Sequence, residues 1–383
     1  MTEKKDKALV FSILPVKKTG GGEGYTVNCA TSISISGTEC DLICPVEANF
    51  IQIRDSSRFE NLCDTTVFIE GKASTSITKK FSEVLMEIPN YRYVWIHQYL
   101  GSPLVYDLLL VSHNRQMVLL TNLGFEENYD DFWIRYNKLP NHLFLEISQY
   151  SAKRTQNNTS NVSYLYAGAW RNTLEKYLNI NLSSKNTRQF VSVGRLLPHK
   201  SFETAIDAVS KNEKLVIIGP NSSDTYYKKF LEDKSKGKNV HLVGEMLTSD
   251  KDKIISNSIA LIANSSSLTY RKQIFEQSEL LGLVILEAIL SNTLPITSSQ
   301  PALKEVMDVL NLSELVYPER DSQSLKSKMA LVSYLSDFEY KALLDQARKM
   351  IEQHFLWDNY WLRVKEMIEK QNIMRDVEIY GKI

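Results

Sequence analysis

A chain of 383 residues is too long for one ordinary hydrophobic core and fits two α/β domains. A hydrophobic content of 43% with 23% charged residues excludes a disordered chain. Lys+Arg and Asp+Glu both total 45, so the formal net charge is zero and there is no general pull toward nucleic acid or anionic lipid.

In chain order, the charged N-terminus runs into a short apolar stretch that stops at Pro15 and Lys17-Lys18, with no small-residue cleavage site. It reads as a first buried strand rather than a signal peptide. Predicted strands cover residues 8–14, 42–45, 66–69, 93–97, 117–121 and 143–147, and a second series covers 190–193, 214–218, 240–243, 259–263 and 294–297. Each is a short apolar run bounded by Gly, Pro, Asn or Ser, the pattern of strands covered on both faces. Helical patterns lie between them, such as 202–209 and 283–290. Strand and helix in alternation predict parallel sheets with right-handed crossovers.

Polar stretches at 151–161 and 181–188 interrupt the rhythm. The domains are therefore expected at 1–183 and 184–354, with an aromatic, amphipathic C-terminal helix in 355–383 that packs back toward the first domain. Cys29, Cys40, Cys44 and Cys63 form no CxxC pair and no metal spacing with histidine, which fits free thiols in a reducing cytoplasm. No stretch is long enough to span a bilayer. The Asn-x-Ser/Thr sites at Asn157, Asn158, Asn161, Asn221 and Asn264 are accordingly expected to be unmodified.

Open α/β sheets bind ligands at the carboxyl ends of their strands, so segments just after predicted strands matter most. Thr19-Gly20-Gly21-Gly22-Glu23-Gly24 follows the first strand, and glycines there either let the backbone approach a ligand or make a plain turn. Gly194-Arg195-Leu196-Leu197-Pro198-His199-Lys200 follows another, and Arg195 and Lys200 can reach one anionic group, for which a diphosphate is a good match. A solvated basic loop is the alternative.

Glu279 and Glu287 bracket Gly282, which is expected to open a helix whose amides at Leu283 and Val284 face a phosphate. Glu279 then lies before the helix, near a bound sugar. Glu287 lies inside it among Ile285, Leu286, Ala288 and Ile289, where a buried carboxylate requires a partner such as a ribose diol. His97 ends an apolar strand and either contacts a sugar hydroxyl or the acceptor, or is satisfied internally. Asp250-Lys251-Asp252 reads as a helix N-cap rather than a cation site. Gly219-Pro220 and Gly244-Glu245-Met246 follow strands and either frame a base or turn the chain. A P-loop, nucleophile elbow and zinc motif are all missing from the sequence.

Taken in order, the Gly-rich loop, Gly194-Arg195…Lys200, Gly219, Gly244 and Glu279…Glu287 resemble glycosyltransferase family 4. So do Pro295-Ile296-Thr297 with Ala302-Leu303-Lys304-Glu305-Val306, and Phe355-Leu356-Trp357. The resemblance implies a GT-B fold, α/β, with two Rossmann-like domains whose parallel sheets face across a cleft. It implies a retaining, metal-independent hexosyltransferase of glycan or polysaccharide biosynthesis, without cofactor, using a UDP- or GDP-sugar as donor. Arg195 and Lys200 would hold the diphosphate, Glu279 the donor sugar and Glu287 the ribose, with Gly21 and Gly22 approaching from the other domain.

Glycan, lipid-linked or protein acceptors, no nucleic acid, and a cytoplasmic location with peripheral contact to the inner face of the membrane complete the expectation. The chain has Leu280-Leu281 where the family often has Gly-Phe, and Leu123 where it often has histidine. The contact made by that histidine is then missing or supplied by His97. A nucleotide-sugar 2-epimerase-like enzyme and a catalytically inactive binding subunit fit the same residues.

Overall fold

Strands that are apolar at every position need cover on both faces, and the helices between them supply it. A computed structural model describes residues 6–16, 21–46, 62–97, 102–112, 116–124, 130–176, 185–220, 225–275 and 279–380. The chain divides into one unit of Met1–Gly168 with Leu356–Ile383 and another of Ala169–Phe355.

The first unit opens with β1 (Lys7–Ser12), α1 (Gly21–Ile35) and β2 (Glu39–Pro45), then β3 (Leu62–Ile69) and β4 (Lys72–Lys80). After them come α2 (Phe81–Glu87), β5 (Tyr93–His97), α3 (Pro103–Val111) and β6 (Met117–Thr121). It continues with α4 (Asp130–Tyr136), β7 (His142–Glu146), α5 (Gln149–Thr155) and β8 (Val162–Tyr164). The sheet order is β4-β3-β2-β1-β5-β6-β7-β8. Every residue of β5, β6 and β7 is buried, as a doubly covered parallel sheet requires.

The expectation of wholly parallel sheets is corrected at one edge, where β2–β3 and β3–β4 pair antiparallel. Glu70 (φ 48°) and Gly71 (φ 78°) make the two-residue turn with two positive φ angles that suits a hairpin. The sequence of β4, KASTSITKK, is polar and exposed because it is an edge strand.

The second unit runs α6 (Arg171–Lys176), β9 (Asn186–Val193), α7 (Phe202–Ala208), β10 (Lys214–Ile218), α8 (Thr225–Ser235) and β11 (Val240–Gly244). Next are α9 (Thr248–Asn257), β12 (Ser258–Ala263), a short antiparallel hairpin of β13 (Leu268–Tyr270) and β14 (Gln273–Phe275), and α10 (Leu283–Leu290). β15 (Leu294–Ser298), α11 (Pro301–Val309), β16 (Val316–Tyr317), α12 (Ser322–Tyr334) and α13 (Asp337–His354) complete it. Its main sheet, β11-β10-β9-β12-β15-β16, is parallel throughout.

Local chemistry sets the helix starts. Asp321 accepts from Gln323 N and Ser324 N at the start of α12, and Ser336 with Glu339 forms a capping box on α13. The polar stretch at 151–161 contains the end of α5, capped by Ser148, rather than an interruption of the fold.

The first expected domain boundary, at 183, falls at 177–184, outside the described residues. The division into units falls at Gly168. Ala169 N donates to Phe355 O at 3.1 Å and Arg171 pairs with Glu352, so α6 belongs with α13.

At the far end, α14 (Tyr360–Tyr380) returns to the first unit. Ser32 on α1 donates to Trp357 O at 2.7 Å and accepts from Trp361 N at 3.2 Å, while the Tyr25 and Tyr360 hydroxyls lie 2.6 Å apart. No helix among the described residues is long and apolar enough to cross a membrane.

In each sheet the strand order reverses direction at one place, and a crevice forms there at the carboxyl ends. The reversal lies between β1 and β5 in the first unit and between β9 and β12 in the second. Gly21 follows β1, His97 is the last residue of β5, and Arg195 follows β9.

Candidate functional site

In the second unit the turns after β9, β10 and β11 are stitched into one row. Gly194 N donates to Ile218 O at 2.9 Å, Gly219 N to Gly244 O at 2.9 Å and Leu196 N to Pro220 O at 3.1 Å. A Cβ on Gly219 would lie 1.9 Å from Gly194 O, so only glycine lets these two backbones touch. The stem of Lys200 lies against Gly194, within 3.8 Å of where a Cβ would stand.

Pro198–Lys200 forms a single 3₁₀ turn that Ser201 ends in a left-handed conformation, φ 45°. Such a conformation is costly for a residue other than glycine and persists where its surroundings fix it. Here Ser201 Oγ is hydrogen-bonded to Ser266 Oγ, and Ser266 N donates to His199 O at 2.8 Å, which locks the turn to the segment after β12.

The turn aims Lys200 at Glu279. Lys200 Nζ lies 2.5 Å from Glu279 Oε2, and Ser265 Oγ donates to the same oxygen at 3.1 Å. Glu279 O accepts from Gln300 Nε2 at 3.1 Å. Gly282, at φ 85°, then caps α10. Leu283 and Val284 are its first residues, whose amides have no acceptor inside the helix.

Arg195 is exposed five residues before Lys200. Its charge is felt at His199, whose pKa falls to about 3, first through burial and then through Lys200 and Arg195. His199 is therefore a neutral imidazole beside two cations. The structure thus brings Lys200, Glu279, Gly282 and the start of α10 together, with Gly194, Gly219 and Gly244 in the neighbouring row. Arg195 sits on the same turn, and its guanidinium has no hydrogen-bond or ion-pair partner among the described residues.

The reading of Glu287 as a buried carboxylate is corrected. Its side chain is 41% exposed and pairs with Lys251 Nζ at 2.8 Å. Ile285, Leu286, Ala288 and Ile289 are buried, but residues one or two apart on a helix do not share a face. The expected cap at Asp250 is also corrected. Leu247 is the N-cap of α9, and Asp250 sits in its first turn beside Lys253. The residue of that triplet that reaches the site is Lys251, which the flanking aspartates obscured.

Ser265 and Gln300 were missed as well. Ser265 follows β12 and could have been found by the same carboxyl-end rule. Gln300 carries no sequence pattern of its own. The segment after Ser265 contains the β13–β14 hairpin, and Phe275 on it packs 5.1 Å from the His199 ring.

In the first unit, Thr19 and Gly20 lie outside the described residues, and Gly21 and Gly22 open α1 rather than a loop. Thr26 Oγ1 donates to Gly22 O at 3.0 Å and lies 3.0 Å from His97 Nδ1. With its hydrogen committed to Gly22, the hydroxyl accepts from His97 Nδ1–H, which leaves Nε2 as an acceptor. His97 is fully buried, and Nε2 has no hydrogen-bond partner among the described residues. Burial lowers its pKa to about 3, so it is neutral. Leu123 is half-buried just after β6.

Among the described residues no group of His, Cys, Asp and Glu could hold a metal ion.

Residues 175–359 match the family described as glycosyl transferases group 1. The two α/β units match GT-B structures. A glycosyltransferase from Rickettsia africae covers 98% of this chain and 99% of its own at 15% identity, with a TM-score of 0.68. HepE from Anabaena, solved with UDP and glucose, covers 95% and 99% at 14% identity, with a TM-score of 0.65. An alpha-glucosyltransferase solved with UDP-glucose and DNA covers 95% and 99% at 12% identity, with a TM-score of 0.63. Comparison with curated protein sequences gives no match. The group 1 domain and the GT-B architecture together support a transferase.

Proposed function

We propose that the chain is a retaining glycosyltransferase that moves a hexose from a nucleotide-diphosphate sugar to a hydroxyl acceptor. The observation that carries this reading is the convergence of Lys200, Glu279 and the start of α10 at the carboxyl ends of the second sheet, inside the matched domain. Arg195 and Lys200 bind the diphosphate, the Leu283 and Val284 amides add the positive end of a helix, and Glu279 binds hydroxyls of the donor sugar. Glu287 takes the ribose diol, with Lys251 beside it.

As the bond between sugar and phosphate breaks, negative charge grows on the leaving diphosphate. Cations already in position stabilise that charge more in the transition state than before it, which is how they accelerate the step without a metal ion. The acceptor hydroxyl attacks from the face the diphosphate leaves, and the departing oxygen takes its proton. The acceptor is a hydroxyl on a glycan, a lipid-linked carrier or a protein, at the cytoplasmic face of the membrane. The compared structures were solved with ligands as different as glucose and DNA, so the acceptor class rests on this chain's own charge and residues. Zero net charge disfavours nucleic acid.

The first donor to test is a UDP-sugar, with GDP-sugars next, because the compared structures hold UDP or UDP-glucose. A specific donor raises the melting temperature in a thermal-shift screen, and purified protein then hydrolyses or transfers the sugar. Binding without turnover would mark an inactive binding subunit. Free epimerised sugar without an acceptor would mark an epimerase. Full activity in both Lys200→Ala and Glu279→Ala would overturn the assignment.

A further inference from the structure

We infer that Gln300 is a positioning residue for Glu279, an inference that rests on the donor reading above for its use but not for its geometry. Gln300 is fully buried at the turn between β15 and α11. Its Oε1 accepts from Ala302 N at 2.9 Å and Leu303 N at 3.1 Å, which caps α11. Its Nε2 donates to Glu279 O at 3.1 Å. The amide can point only this way. Two backbone N–H groups on one side demand the oxygen, and a flipped amide would set donor against donor.

The loop from Glu279 to Gly282 is therefore gripped at both ends by the first turn of one helix. Gln300 holds the carbonyl of Glu279. Leu303, one turn on, presses on Gly282, where a Cβ would lie 2.4 Å from its Cδ2. The same turn also sets the carboxylate. Ser298 Oγ donates to Ser265 O, and Ser265 Oγ donates to Glu279 Oε2. Ser299 N is tied in turn to Tyr317 O at 2.7 Å, so the turn is anchored to β16. Gln300 thus holds the backbone of Glu279 directly, Ser298 reaches its side chain through Ser265, and Ser299 anchors the turn between them. Of the contacts they make, the one from Gln300 joins a helix cap to a site loop.

The two ends of the Gln300 amide can be separated by substitution. Gln300→Asn keeps an oxygen suited to capping but is one methylene too short to cap and reach Glu279 O together. Gln300→Ala loses both. In Gln300→Asn, hydrogen exchange at the amides of residues 280–284 accelerates while that of α11 is unchanged. In the same variant kcat/KM for UDP-glucose falls by about tenfold or more, because a small displacement of a sugar-binding group is costly. Its affinity for UDP, which lacks the sugar but shares the Leu283 and Val284 contacts, falls by a clearly smaller factor. Gln300→Ala shows the same loss with UDP-glucose and also melts lower.

Unchanged exchange at 280–284 in Gln300→Asn would overturn the inference. So would an equal loss of affinity for UDP and UDP-glucose, which marks a merely structural role. A wild-type protein that neither binds UDP nor turns over UDP-glucose would instead sink the donor reading, and the exchange comparison would still decide the tie.

Discussion

Lys200 Nζ lies 2.5 Å from Glu279 Oε2, with the two side chains 21% and 20% exposed. Both side chains are largely covered, so the cost of desolvation offsets much of their attraction and the intact pair adds little net stability. Its worth is in holding a cation and a carboxylate together at the carboxyl ends of β9 and β12. Lys200→Ala and Glu279→Gln are each expected to lower kcat/KM by about 10²-fold or more, the size of losing one preorganised electrostatic contact. Their melting temperatures should fall only modestly, because each variant leaves one partly covered charge without its partner. Parallel kinetics and melting curves check this, and a large fall in melting with little loss of activity would reassign the pair to stability.

The glycines of the site differ in what they tolerate. An alanine at Gly219 meets Gly194 O at 1.9 Å, and neither backbone can retreat without parting β9 from β10. At Gly282 the obstacle is the Leu303 Cδ2 methyl at 2.4 Å, the end of a side chain that can turn, with φ at 85°. Gly244 has open space around it and φ at 74°. Gly219→Ala should therefore cost about 3 kcal/mol or more through overpacking. Gly282→Ala and Gly244→Ala should each cost about 1–2 kcal/mol, chiefly for a left-handed backbone. Urea midpoints give the ranking, and an equal cost at all three would contradict it.

Much of this was legible in the sequence. Apolar runs bounded by turn residues gave strands close to those observed, and β5, β6 and β10 match residue for residue. The carboxyl-end rule then picked out Lys200, Glu279 and His97. What escaped was chemistry without periodicity. β4 is polar because it is an edge, and β13, β14 and β16 span two or three residues, too short to show a period. Gln300 and Ser265 are single polar residues whose partners lie 21 and 14 positions away in sequence. The reading of Glu287 as buried failed for a geometric reason, since neighbours in sequence are not neighbours on a helix face.

His97 gives the first unit a pH dependence with a definite sign. Burial lowers its folded pKa to about 3 from an ordinary 6.5. Between those values the unfolded chain binds a proton that the folded one does not, so stability falls as pH drops through the window. Above 6.5 the residue contributes no slope. His97→Leu should flatten the curve between pH 4 and 6.5 by up to about 1.4 kcal/mol per pH unit. The comparison with wild type matters, because burial and the charges of Lys200 and Arg195 lower His199 in the same direction. Identical slopes for the two proteins would show that His97 titrates freely.

The Tyr25 and Tyr360 hydroxyls form a buried pair 2.6 Å apart that joins α1 to α14. Burial raises the pKa of both, so each stays neutral, and one hydroxyl donates to the other. Trp357 packs against both rings at 4.8 Å, and His97 lies 5.9 Å from Tyr25, so the cluster that seats the C-terminal helix also walls the histidine. Tyr360→Phe removes one partner and leaves the other hydroxyl buried alone, which costs about 1–3 kcal/mol. Tyr25→Phe should cost a similar amount for the same reason. Removing both hydroxyls leaves no orphan, so the double variant should be less destabilised than the sum of the singles, with a coupling of about 1 kcal/mol or more. Four denaturation curves close the cycle. Strict additivity would mean that each hydroxyl finds another partner, and that the C-terminal helix is held by ring packing alone.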